Sequence, residues 1–270
     1  MWLDYDERYR RVAGDPKFLL WRKEGARHKA RNIAAVCEGL AIHSVIEIGC
    51  GTGAVLGELM DLKFASAYAG TDVSAAALGA ANAALGREFR GGFVADAKAL
   101  PVADKTFSVA VLSHVLEHLQ DPAQAALEAS RVADFIVAEV PTEEVLTNWV
   151  RQKILQRDYA SIEEAGHVQF WSARSFVQFL HNQCDFEVLS LRRNAVSAKE
   201  DFFGKEGAKK LKPLVKHLIQ AMLPSFLRIW VFTTHTTALC RPAHIASERP
   251  AHTIPSRCPA QSSEARPSTA

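Results

Sequence analysis

The segment Val45-Ile46-Glu47-Ile48 stops at Gly49-Cys50-Gly51-Thr52-Gly53 and resumes at Val55-Leu56 and Leu59-Met60, and it constrains the fold more than any other part of this sequence. A short apolar run that breaks on clustered glycines and returns at helical spacing reads as a buried strand, a tight turn and a helix. The same alternation repeats downstream, with strands over 68–72, 93–95, 107–113 and 135–140 and helices over 74–85 and 122–132. Ser74 and Asp121 are good N-capping residues, and Pro122 stands at a first helical position, where its missing N–H costs nothing. Strands and helices alternating at these lengths require a parallel sheet covered on both faces, so the expected class is α/β with a doubly wound, Rossmann-like sheet.

Residues 1–40 mix Arg, Lys, Tyr and Trp with apolar positions at helical spacing, most clearly Ile33, Val36, Cys37 and Leu40, and read as an N-terminal helical segment ahead of a main domain over 41–242. After Pro141 the alternation is interrupted at 143–171, an expected cover for a substrate, and a helix over 172–184 capped by Ser172 follows. Final strands are expected over 186–191 and 230–239, with a basic insertion at 194–229 between them. Within it Leu211, Leu214, Val215, Leu218, Ile219, Met222 and Leu223 fall at helical spacing opposite Lys209, Lys210, Lys212 and Lys216. That is a strongly amphipathic helix over 205–223, suited to packing on the domain or a twin subunit, to capping a pocket, or to peripheral contact with an anionic membrane surface. The tail at 243–270, rich in Pro, Ser, Ala and His, is expected to be disordered.

With 270 residues, 48% hydrophobic and 23% charged, the chain can bury one sizeable core. A net charge of +2 leaves no excess of cations to neutralise phosphates, which argues against a nucleic-acid partner. The five cysteines are odd in number and form no C-x-x-C pair, as expected of reduced thiols in a cytoplasmic protein. The acidic, aromatic start lacks the features of a signal peptide, and no stretch reaches the roughly 18 apolar residues of a membrane span.

A parallel sheet binds ligands beyond the carboxyl ends of its strands, where strand order reverses. Gly49, Gly51 and Gly53 stand there, allowing a tight turn and a close approach of ligand to main chain. The second strand ends in Asp72, at the spacing of an acid that reads the two hydroxyls of a ribose. The third ends at Ala95-Asp96-Ala97, where a second carboxylate can accept from the amine of adenine. A ribose acid followed by an adenine acid describes an adenosine pocket, and Cys50, Val73, Ala97 and Ser113 complete the candidate set by their positions after the strands.

Val45 to Gly53 strongly resembles the first motif of class I methyltransferases that use S-adenosylmethionine (SAM), Gly70-Thr-Asp-Val-Ser74 looks like the second, and residues 107–119 are similar to the fourth. The likeness extends over about residues 40–195. It implies a seven-stranded sheet with a reversed last strand, SAM lying over Gly49 to Gly53, and Glu47 orienting the turn and meeting the SAM ammonium directly or through water. A nicotinamide-dependent oxidoreductase is the rival reading, since Gly49-x-Gly51-x-x-Ala54 fits the looser dinucleotide fingerprint. Glu47 argues against it, because a carboxylate buried in the first strand suits a cationic ligand group and not a pyrophosphate. A SAM-binding scaffold without activity is the third.

Methyl transfer needs alignment and, for an oxygen acceptor, a base. The fourth strand runs into Ser113-His114-Val115-Leu116-Glu117-His118, so a turn of helix there puts 114, 117 and 118 on one face. His114 or His118 is a candidate general base, or the three surround a divalent cation. The segment resembles metal-using O-methyltransferases of ubiquinone biosynthesis, whose pattern has Glu where His114 stands; two imidazoles and a carboxylate suit zinc or iron better than magnesium, and a metal is not favoured. His167, in a Gly-His segment similar to one near the acceptor pocket of many small-molecule methyltransferases, is a third candidate, and Phe170 and Trp171 are candidates for an apolar acceptor wall. Glu139, Pro141 and Thr142 are singled out by position alone. The expected acceptor is a small molecule such as a sugar, a quinone-like phenol or a lipid-linked intermediate.

Overall fold

The computed structural model describes residues 5–86, 89–142, 166–195 and 234–243, with positions 214, 218, 221, 222 and 224. In chain order the elements are α1 (Tyr5–Val12), α2 (Pro16–Val36), β1 (Ser44–Ile48), α3 (Ala54–Asp61), β2 (Ala67–Asp72), α4 (Ala75–Ala84) and β3 (Phe89–Val94). There follow β4 (Phe107–Ser113), α5 (Pro122–Val132), β5 (Ala133–Thr142), α6 (Ala173–Asn182), β6 (Phe186–Ala195) and β7 (Thr234–Pro242). The strands form one seven-stranded sheet in the order β3-β2-β1-β4-β5-β7-β6, in which β7 alone runs antiparallel to its neighbours. This is the doubly wound, seven-stranded arrangement with a reversed last strand that the sequence resemblance implies. Order reverses between β1 and β4, and their carboxyl ends therefore open a crevice.

Side-chain alternation along the strands divides the core in two. Val45, Val109, Val111, Val137 and Leu239 face Ala30, Ile33 and Val36 of α2 and Leu56 and Leu59 of α3. Ile46, Ile48, Ala110, Leu112, Ile136 and Ala138 face α5 and the Phe176, Phe179 and Leu180 side of α6. The N-terminal segment thus shares the core of the sheet. Asp15 starts α2 by accepting the Lys17 N–H at 2.9 Å, with Pro16 at the first turn. At the start of α6, Ser172 and Ser175 exchange side-chain and backbone bonds in a capping box.

β3 starts at Phe89, earlier than the apolar pattern indicates, because Gly91 and Gly92 carry no side chains to report a period and the strand lies at the sheet edge. Most of the expected cover at 143–171, most of the insertion at 194–229 and nearly all of the tail lie outside the described residues. Leu214, Leu218 and Met222 of the amphipathic stripe are exposed. Among the described residues no helix is long and apolar enough to cross a membrane. Cys37, Cys50, Cys184 and Cys240 are buried and unpaired, and burial pushes the Cys37 and Cys184 thiols up to about 12.

Candidate functional site

The glycine turn after β1 is tied to β2 by two backbone bonds, from the N–H groups of Gly49 and Cys50 to the Thr71 carbonyl at 2.7 and 2.9 Å. Gly49 and Gly53 take left-handed φ angles of +73° and +75°. A Cβ on Gly49 would lie 2.5 Å from Val115 Cγ2, so no side chain fits between the turn and the loop after β4. The turn is fastened by Asp72, whose Oδ2 accepts the Gly51 N–H at 2.8 Å and whose Oδ1 accepts the Ser74 N–H at 2.9 Å. Burial raises the Asp72 carboxyl, against the opposing pull of those N–H groups and of Arg22.

Glu47 stands directly below this turn, fully enclosed. Gly53 offers no side chain to cap α3, and the Leu56 N–H instead donates to the Glu47 carboxylate. Glu47 Oε2 has no partner. Burial pushes this acid up to about 8, against the pull of Arg22 and Lys29.

A cavity of about 330 Å³ opens at the carboxyl ends of the strands. Of the candidate residues, Gly49, Asp72, Val73, Asp96, Ala97 and Ser113 line it, as do His114, His118 and His167. Glu47, Cys50, Gly51 and Gly53 are buried and do not line it. Trp171 instead packs on Phe176 and Phe179 in the core, with ring centroids 5.6 and 5.3 Å away, and neither it nor Phe170 lines the cavity. Thr142 is buried against the Thr236 hydroxyl, 2.8 Å away.

The opposite wall comes from α1 and α2, which sequence reasoning had not assigned to the site: Tyr5, Arg8, Tyr9, Trp21, Arg22 and Lys29 all face the cavity. The Tyr9 hydroxyl lies 2.7 Å from where a Cβ on Gly51 would stand, with Arg22 Nη2 at 3.2 Å. None of the residues of α1 is buried, and the helix is held through Asp6, whose Oδ1 accepts the Ser74 hydroxyl at 2.8 Å and the Ala76 N–H at 3.0 Å. The signal for this wall was the clustering of Tyr, Trp and Arg in residues 1–40. Its pairing with the sheet is a tertiary fact with no sequence period.

At the inner end of the cavity the chain leaves β4 through His114, held at a left-handed φ of +58° by its N–H bond to the Glu139 carbonyl at 2.9 Å. A 3-10 turn over Leu116–His118 follows. The Glu117 carbonyl accepts the N–H groups of Val168 and Gln169 at 2.8 and 3.0 Å, which brings the Gly166-His167 segment onto this turn. His118 Nδ1 lies 3.0 Å from the Gly166 carbonyl, and the His118 and His167 rings meet at 4.8 Å. Burial lowers the pKa of His167.

His114, Glu117 and His118 do not converge on one point. His114 Nδ1 approaches Glu117 Oε1 at 3.1 Å, and its Nε2 approaches Glu139 Oε1 at 3.5 Å. His118 turns away toward His167. Among the described residues two groups are spaced to hold an ion: Glu117 with His118 and His167, and His114 with Glu139 and His235. His235, on β7, was not identified from the sequence; it stands in a Thr-rich strand with no motif around it.

A family described as a methyltransferase domain matches residues 5–191. A search of curated proteins found no match. Among solved structures, one from the complex between the Haloferax volcanii Trm112 methyltransferase activator and a candidate methyltransferase is 17% identical, with a TM-score of 0.60, covering 87% of this chain and 98% of that one. The (4+2) cyclase SpnF is 17% identical with a TM-score of 0.54, covering 80% of each chain. Geranyl diphosphate C-methyltransferase from Streptomyces coelicolor A3(2), in complex with Mg2+, geranyl diphosphate and S-adenosyl-L-homocysteine, is 11% identical with a TM-score of 0.53, covering 80% of this chain and 78% of that one.

Proposed function

Because the chain belongs to the methyltransferase-domain family, we propose that it binds SAM along the glycine turn and transfers the methyl group to a small-molecule acceptor held beside His118 and His167. The observation that carries this reading is the Asp72 carboxylate, fixed by two backbone N–H groups at the wall of a small-molecule-sized cavity with acceptor capacity left over for a ribose. Asp96 and Ala97 extend the wall toward the adenine, and the half-exposed Val73 offers it an apolar surface. The SAM ammonium belongs near the unpartnered Glu47 Oε2, directly or through water.

The Gly166 carbonyl can only accept, so Nδ1 of His118 carries the proton and Nε2 is the basic nitrogen of the neutral ring. An acceptor O–H placed there gives its proton to Nε2 as its oxygen displaces the methyl carbon from the sulfonium. The products are the methylated acceptor, neutral S-adenosylhomocysteine and protonated His118, which returns its proton to water. His167, whose pKa burial lowers, completes this wall.

The test is calorimetric titration with SAM, S-adenosylhomocysteine and NAD, followed by assay of S-adenosylhomocysteine release over a panel of small acceptors. SAM and S-adenosylhomocysteine should bind and NAD should not; preference for NAD would overturn the reading. Because a (4+2) cyclase shares the fold, binding without acceptor-dependent S-adenosylhomocysteine release would leave a SAM-binding scaffold instead.

Two further outcomes follow from the geometry. Glu47, at about 8, is mainly protonated at pH 7, and an ammonium beside it favours the ionised form. SAM binding should therefore release a proton and be roughly fivefold weaker at pH 7 than at pH 8, a dependence that Glu47→Gln flattens. In the free protein the same raised value has the opposite sign: its stabilisation is complete below the usual carboxylate range and is lost as pH rises through 8. Asp6→Ala should release α1 from α4 and weaken SAM several-fold, mainly through faster dissociation in stopped-flow measurements, with Asp6→Asn closer to wild type.

A further inference from the structure

His114, Glu139 and His235 come from three different elements, the loop after β4, strand β5 and strand β7, and meet below the inner end of the cavity. We propose that they form a binding site for a divalent transition metal of the zinc or ferrous-iron class, with its open coordination position toward the cavity.

Their ligand-capable atoms lie within 4.8 Å of one another. His114 Nε2 and Glu139 Oε1 are 3.5 Å apart, close to the roughly 3.4 Å edge of a tetrahedron with metal bonds of about 2.1 Å. Each of the three residues presents an atom without a hydrogen-bond partner: His114 Nε2, Glu139 Oε1 and His235 Nδ1. Glu139 is 0% exposed and His235 6%, so water does not satisfy these atoms as it would at the surface. His114 Nε2 and Glu139 Oε1 meet only at 3.5 Å, outside hydrogen-bond geometry, and His235 Nδ1 has no partner; a cation satisfies all three together.

The remaining atoms of these side chains are already held in a supporting arrangement. Thr237 Oγ1 donates to Glu139 Oε2 at 2.7 Å, leaving Oε1 to ligate. Glu117 Oε1 lies 3.1 Å from His114 Nδ1, on the side of the ring where carboxylates stand behind metal-bound imidazoles. His114 holds this position with a left-handed backbone, a conformation that costs a non-glycine residue free energy. Two imidazoles and one carboxylate suit zinc or ferrous iron, whereas magnesium prefers oxygen ligands throughout. His114 faces the cavity while Glu139 and His235 lie behind it, so an ion here is approached past His114.

With His114 neutral as a ligand, Glu117 and Glu139 face, among the described residues, the Lys29 ammonium, whose charge reaches both His114 and Glu139. The negative excess favours a cation, and Lys29 is its built-in competitor. The Glu117, His118 and His167 group is less suited, because His118 Nδ1 is committed to the Gly166 carbonyl and both rings are partly exposed to the cavity. The ion binds whether or not SAM does.

Cobalt(II) titration of the chelator-treated full chain tests the site. A stoichiometric visible spectrum of low-coordinate cobalt, displaced by zinc and unaffected by magnesium, is expected. Glu139→Gln, His235→Gln and His235→Ala should each weaken cobalt binding at least tenfold while retaining SAM binding by calorimetry, which reports that they fold. His118→Gln should leave the spectrum intact. Absence of the spectrum in wild type, or its loss in His118→Gln with retention in both His235 variants, would overturn the assignment.

Discussion

Asp72→Ala is expected to weaken SAM binding roughly a hundredfold. Two ribose hydroxyls donating to one carboxylate are charge-assisted bonds worth about 1.5 kcal/mol each, and about 3 kcal/mol corresponds to that factor. The same substitution leaves the Gly51 and Ser74 N–H groups without their acceptor. Ser74 also caps α4 through its Oγ bond to the Ala77 N–H at 3.1 Å, so both ends of the cofactor wall loosen together. Asp72→Asn keeps one acceptor oxygen and should fall between. Asp96→Ala should cost tenfold or less, since the Asp96 side chain is 55% exposed and water replaces much of what it offers. Calorimetry on the three variants orders them; an unchanged affinity in Asp72→Ala would remove the ribose role on which the functional reading stands.

The elements that the sequence made legible are those whose side chains repeat a spatial period. β1, β4 and β5 show it because alternate residues meet α2 and α3 on one face and α5 and α6 on the other. The glycine turn and Asp72 were legible for a different reason: their backbone and spacing requirements admit few residue types. β3 was shortened by its glycines, and the α1–α2 wall was missed because no local pattern says where an amphipathic helix docks. His235 shows the limit most clearly. It lies next to the His114 ring, 4.6 Å between centroids, only because β7 inserts antiparallel between β5 and β6. Glu139 was reachable by position at the end of β5, but its partners come from β4 and β7, and no window of sequence contains all three.

Those same cross-strand partners determine what happens when His114 is lost. In the chelator-treated protein the His114 ring lies between two fully enclosed carboxylates, Glu117 and Glu139. Burial and Lys29 push the His114 pKa down, but the two carboxylates outweigh them and raise it, which favours the cationic ring. Burial would raise both acids, yet His114 pulls each below the usual range, Glu139 to about 2. His114→Phe keeps the ring volume and removes the charge, leaving both carboxylates buried without it. Breaking a buried pair in this way costs about 3 kcal/mol or more, which chemical denaturation at pH 7 would show as a lower midpoint with an unchanged slope. The sign with pH follows from the shifts. Depressed acids stabilise wild type above the ordinary carboxylate range and lose that stabilisation as pH falls toward 2, whereas in the variant they take up protons readily as pH falls. The gap between the two proteins should therefore be widest near neutrality and narrow as pH falls below the ordinary carboxylate range toward 2. His114→Gln, which keeps a donor but no charge, should recover only part of it. Equal midpoints for His114→Phe and wild type at pH 7 would mean that the imidazole carries no charge between these acids.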